Sequence, residues 1–194
     1  MSMRLIFLDI ETTGLDPAKD VPLEIAIMIL NADDLSQIYS AEYLIKQDGV
    51  KLDKLGNIGT SVHGIDRRDL NEAYNPYQIF LAVNDAFTFM KISKDNAVFV
   101  CQNPSFDRQF FNQIFPEEYR ISEGWPYHWL DLASMFWITE QLPEYMLLSK
   151  DNIAVKLDIP VEVKPHKAMQ GVKHLIRCYI EMMKRTCTRR KNGI

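Results

Sequence analysis

Asp9 and Glu11 stand two residues apart in Phe7-Leu-Asp9-Ile-Glu11, at the end of the short apolar run Arg4–Ile10. On a strand, side chains at i and i+2 face the same way, so the two carboxylates share a face while Ile10 turns into the core. Side by side and poorly solvated, they repel each other; either a cation joins them or one stays protonated. Oxygen ligands of this kind suit Mg²⁺ or Mn²⁺ rather than zinc. A bare D-x-E also fits a solvent-facing strand edge, but the Thr12-Thr13-Gly14-Leu15 that follows shifts the balance towards a site. His166, at the start of an amphipathic stretch, would by itself read as a cap or a surface residue. The three cysteines, Cys101, Cys178 and Cys187, show no C-x-x-C and no zinc-ligand spacing, and read as reduced thiols.

Several elements must position these groups. Arg4–Ile10, Leu23–Leu30 and Ile38–Ile45 read as strands joined by short connections, which predicts an antiparallel meander. Lys46–Asp69, with four glycines and little periodicity, reads as a long functional loop. Asn75-Pro76 opens a helix, with Asn as cap and Pro at the first helical position. Ala97–Cys101 is a buried strand, and Phe106, Phe110, Phe111 and Ile114 mark a helix that Pro116 ends. Leu130–Trp137 reads as a strand running into a helix, Ser149–Leu157 as a short helix capped by Ser149, and His166–Lys184 as the last helix. The order predicts an α/β domain with a mixed five-stranded sheet, three antiparallel strands and then parallel ones, flanked by helices.

Composition excludes several classes. With 47% hydrophobic and 25% charged residues over 194, the chain is neither disordered nor fibrous and can bury a core as a single domain, 1–194. No apolar stretch approaches the ~20 residues that cross a bilayer. The amino end meets Asp9 and Glu11 too early for a secretory signal, so a cytoplasmic protein is expected. The net charge of −4 hides an asymmetry: residues from Lys173 onward carry +6, which leaves −10 on the rest. The basic carboxyl end, with a tail over 185–194, reads either as a phosphate contact or as cations suited to a helix terminus.

The motifs, taken in order, resemble the DEDD-type 3′–5′ exonucleases in their His subclass, the DnaQ-like group that holds proofreading subunits, RNase T and oligoribonuclease. D-I-E-T-T-G-L is similar to their first motif, and Val62-His63-Gly64-Ile65 to their H-G-I element. Gln102-Asn103-Pro-Ser-Phe106-Asp107 resembles H-N-x-x-F-D, Leu130-Asp131-Leu132 their D-T-L strand, and Pro165-His166-Lys-Ala168-Met the opening of the third motif. The resemblance implies a ribonuclease H-like fold. It implies Asp9, Glu11 and Asp107 as ligands of Mg²⁺ or Mn²⁺, in a site for two ions about 3.5–4 Å apart. His166 becomes the general base that takes a proton from the attacking water. Thr12, Thr13 and Gly14 would contact the 3′-terminal nucleotide and Leu15 would wedge against its base. Asn103 and Phe106 would line the cleft, with ordinary core as an equal reading for Phe106, and His63 would approach a nucleotide. The implied partner is single-stranded nucleic acid or a short oligonucleotide; homodimer and monomer both stay open.

The chain departs from that pattern at two places. The third motif runs H-x4-D, but five residues after His166 stands Gly171, so the fourth acidic ligand is missing and a second ion should bind more weakly. Gly171 also costs the helix about 1 kcal/mol relative to Ala, and restoring an Asp there is expected to raise activity. Gln102 stands where the family often has His, and nothing in the sequence places the nearby Asp158 or Glu162 in the site. Two functions follow: a working exonuclease that tolerates Gly171, favoured because Asp9, Glu11, Asp107 and His166 all remain, or a degenerate relative that binds nucleic-acid ends or nucleotides without cutting. A phosphodiesterase acting on dinucleotides is a third.

Overall fold

The alternation along the first strand sets the architecture. In a computed structural model that describes residues 2–47, 63–66, 68–140 and 148–191, β1 (Arg4–Thr12), β2 (Pro22–Asn31) and β3 (Gln37–Leu44) form the antiparallel meander. β4 (Ala97–Cys101) then runs parallel to β1, and β5 (Trp129–Asp131) parallel to β4. The sheet order is β3-β2-β1-β4-β5, the predicted mixed sheet. β1 lies at its centre and is covered on both faces, which is why its first half is apolar without a break.

Even-numbered residues of β1, Ile6, Leu8 and Ile10, join Ile25, Ile27 and Ile29 of β2 on one face. Against them pack Ile79, Val83 and Phe87 of α1 (Pro76–Phe89) and Phe110, Phe111 and Ile114 of α2 (Pro104–Ile114). Odd-numbered Leu5 and Phe7, with Ala26, Met28 and Val100, face the other way. They are covered by Leu132 and Phe136 of α4 (Leu132–Glu140), Ile153 of α5 (Lys150–Lys156), and Val172 and Leu175 of α6 (Ala168–Lys191). Between α2 and β5 lies the six-residue helix α3 (Glu117–Ser122), too short to show a periodic signal in the sequence.

The helix ends explain themselves locally. Asn75 and Gln78 close a capping box around Pro76, and Ser149 accepts from the Asn152 amide at 3.3 Å. α6 is capped from outside the helix: Glu24 of β2 accepts from the Ala168 amide at 2.9 Å and Glu42 of β3 from the Met169 amide at 3.2 Å. These anchors start α6 two residues after His166, later than the periodicity predicts, and the helix continues past Lys184 to Lys191. Residues 185–191 of the basic tail are therefore helical, and Arg185 reaches the Lys156 carbonyl and Asp158. Most of the predicted loop 46–69 falls outside the described residues; its end forms a 3₁₀ turn over Asp69–Glu72. All three cysteines are free, and among the described residues no helix is long and apolar enough to cross a membrane.

Candidate active site

Asp9 and Glu11 extend the stripe begun by Leu5 and Phe7, so the strand that places apolar groups in a core places carboxylates at that core's end. Asp107 arrives from the first turn of α2. Pairing of β1 with β4 ends at Phe7–Val100, and beyond it the Asp107 carboxyl lies within the influence of the Ile10 backbone amide and of Asp9. Burial, reinforced by Asp9, holds Asp107 well above the usual carboxylate range. Burial also raises Asp9, against the pull of Lys150, and burial with the neighbouring Asp9 charge pushes Glu11 up to about 7. Three carboxylates that resist ionisation are short of positive charge.

Part of that charge comes from a residue the sequence reading passed over. Lys150, in the first turn of α5, is only 16% exposed, with Nζ 2.7 Å from Glu162 Oε2 and 3.6 Å from Asp9 Oδ1. Burial works against its ammonium, but Asp9 and Glu162 outweigh that and raise its pKa. Gln102 at the end of β4 donates from Nε2 to the Leu148 carbonyl at 2.9 Å, which fixes the start of α5 beside the carboxylates. The available signal was a lysine directly after the N-cap, where the helix dipole disfavours a cation. Glu162 is buried too, and its Oε1 lies 3.5 Å from His166 Nδ1. Of the two acids left unplaced by sequence, Glu162 thus enters the site; Asp158 pairs with Arg185 and stays exposed.

Gly171 lies directly beneath Asp9. A Cβ at 171 would sit 2.0 Å from Asp9 Oδ2 and 3.1 Å from Lys150 Nζ. An Asp there, expected from the motif to improve the site, cannot be added without displacing the Asp9 carboxylate.

The turn after β1 is stitched by Asp20, another residue that sequence reasoning missed. Its carboxylate accepts from Thr13 Oγ1 at 3.2 Å and from the Asp16 amide at 2.9 Å, while Thr12 Oγ1 donates to the Gly14 carbonyl at 2.6 Å. A Cβ at Gly14 would lie 2.5 Å from Asp20 Oδ2, so glycine is needed for this close approach. Leu15 projects from the turn, 83% exposed. Asn103 is exposed at the start of α2, and Phe106 is half-buried, packed against Phe110 at 4.9 Å between ring centroids.

His63 is placed differently from the nucleotide contact expected of it: it is 1% exposed, and its Nδ1 accepts from the Ile65 amide at 3.0 Å. The adjacent Gly64 has φ +62 and lies so near Pro165 that a Cβ would be 2.8 Å from its Cγ. Gly64 of the H-G-I segment thus packs on Pro165, the residue before His166. His174 is buried against the Pro160 carbonyl and His128 is exposed beside Tyr127, in keeping with structural roles. Asp131 caps α4 through the Ala133 and Ser134 amides, each at 3.1 Å.

Among the described residues no three His, Cys, Asp or Glu side chains close on one point as a ready metal cage, since Asp9 is turned towards Lys150. The donor set nevertheless fits a hard cation in kind: Asp9, Glu11 and Asp107 offer only oxygens, and burial leaves them in need of charge.

Comparison with known proteins gives the family and the fold. Residues 6–179 match the RNase T exonuclease family. A stretch of 61 residues is 36% identical to an oligoribonuclease of Bordetella pertussis, covering 31% of this chain and 34% of that protein, so the chain matches about a third of this curated relative's length. The fold is similar to the nuclease domain of 3′hExo, a DEDDh family member bound to rAMP, with a TM-score of 0.75, 16% identity, and 94% and 92% of the two chains covered. It is also similar to E. coli exonuclease I in complex with a dT13 oligonucleotide, with a TM-score of 0.71, 17% identity, and 98% and 43% covered.

Proposed function

This chain belongs to the RNase T family of exonucleases, and from that premise we propose that it hydrolyses phosphodiester bonds at the 3′ end of single-stranded nucleic acid, releasing 5′-mononucleotides. The observation that carries this reading is the approach of Asp9, Glu11 and Asp107, from one strand and one helix start, to the same end of the core. Asp9, Glu11 and Asp107 are the residues that would hold divalent cations, Mg²⁺ or Mn²⁺, whose contribution when bound is to stabilise charge building on the phosphate.

The chain's own groups do the rest. Glu162 faces His166 Nδ1; a proton kept on that nitrogen leaves the Nε2 lone pair to accept the proton of the attacking water. The turn Thr12–Gly14, held by Asp20, offers backbone groups to the terminal nucleotide, and Leu15 is free to press against its base. Asn103 and Phe106 border the same end of β4 and contribute to the cleft wall. Three free thiols suit a reducing compartment, and the cytoplasm is the proposed location.

The test is a 5′-labelled single strand incubated with Mn²⁺ or Mg²⁺. The expected result is stepwise shortening from the 3′ end with release of 5′-mononucleotides, abolished by Asp9→Ala. An oligonucleotide that binds tightly and stays intact with either ion overturns the proposal in favour of an end-binding protein.

A further inference from the structure

We infer that the Lys150 ammonium is a resident cation of this site, seated where the missing side chain at 171 leaves space, and that the chain takes one divalent ion where a fourth acid would support two. The inference rests on the reading that Asp9, Glu11 and Asp107 hold a divalent cation. Two independent features of the chain meet here. Gly171 has no side chain, and the volume above it is filled by the Asp9 carboxylate and Lys150 Nζ, 2.0 and 3.1 Å from where a Cβ would be. Lys150 is drawn into that volume by a buried acid, Glu162, at 2.7 Å, and by Asp9 at 3.6 Å.

Each feature requires the other. A side chain on 171 would push Asp9 or Lys150 out, and without Lys150 the buried Glu162 and Asp9 would face each other uncompensated. The Gln102–Leu148 hydrogen bond and the Ser149 cap hold the start of α5 at this place, so the ammonium is positioned by the fold and not by chance surface rotamers. A divalent ion placed beside Asp9 on that side would meet twice the repulsion felt between unit charges. Lys150 is thus a positioning residue: it fixes Asp9 and sets how many ions the carboxylates accept.

The experiment counts Mn²⁺ bound per chain, by titration calorimetry and by the paramagnetic signal of free Mn²⁺, on the full chain without nucleic acid. Wild type and Lys150→Arg should bind one ion, and the double variant Lys150→Met with Gly171→Asp should bind two. Wild type binding two ions of similar affinity overturns the inference, as does a folded double variant that still binds one. Should the double variant fail to fold, the wild-type count decides alone. Mononucleotide release is measured in parallel: two ions with release, or no ion with release, sinks only this inference, one ion without release sinks only the exonuclease reading, and no ion without release sinks both.

Discussion

On one face of β1, Ile6, Leu8 and Ile10 are sealed under α1 and α2 among isoleucines and phenylalanines. On the other, Leu5 and Phe7 begin in the same way beneath α4 and α6, but the stripe ends in Asp9 and Glu11. The strand, its twist and its pairing are common to both faces; only the residues at two alternate positions differ. Stability is concentrated on the face where burial and preference agree. The other face gives some of it up, because two ionisable groups are held where water solvates them poorly. A site of this kind is an interruption of a core, and the two faces should respond in opposite ways to mutation.

The largest contrast is in turnover. Asp9→Ala or Asp107→Ala should lower mononucleotide release by roughly 10³-fold or more, while the melting temperature without metal stays level or rises, since a raised, repelled carboxyl is removed. Leu8→Ala, one residue away on the opposite face, should do the reverse. It should cost about 2–5 kcal/mol of stability in denaturant titration, with turnover per folded molecule unchanged at low temperature. Glu162→Gln should cost roughly 10–100-fold in turnover, because His166 loses the partner at Nδ1; Asp158→Asn, close in sequence but outside the site, should leave the rate as it is.

The smallest effect is electrostatic and distinguishes the faces without any mutation. Folding raises the Glu11 pKa from 4.5 to about 7, and Asp9 and Asp107 move the same way. A raised acid favours the protonated folded state, so its contribution is complete below pH 4.5 and is lost as pH climbs through about 7. In EDTA the melting temperature should therefore drift downward across that window, and Mn²⁺ should flatten the slope.

The parts of the molecule that follow local rules were legible in the sequence. Asp9 and Glu11 declare themselves by their spacing on an apolar strand, and the meander by its short turns. Asp107 was legible by resemblance, from its place after β4 in a known motif. Lys150 was hidden because its partners, Asp9 and Glu162, are distant in sequence and its place exists only where position 171 lacks a side chain. The caps supplied by Glu24 and Glu42 were hidden for a similar reason: on strands they read as ordinary acids, and their partners are amides more than 120 residues away. His63, read as a nucleotide contact, is turned inward by its bond to the Ile65 amide, a local geometry that its neighbours in the sequence do not announce.

Those two caps also govern how the cleft can move. With its first amides tied to β2 and β3, α6 is moored to the same sheet that carries Asp9 and Glu11. His166, just upstream of that mooring, and the acids on β1 are therefore fastened to one sheet. On the proposed function, a strand end would meet a base and acids whose spacing is set by their shared attachment to one sheet.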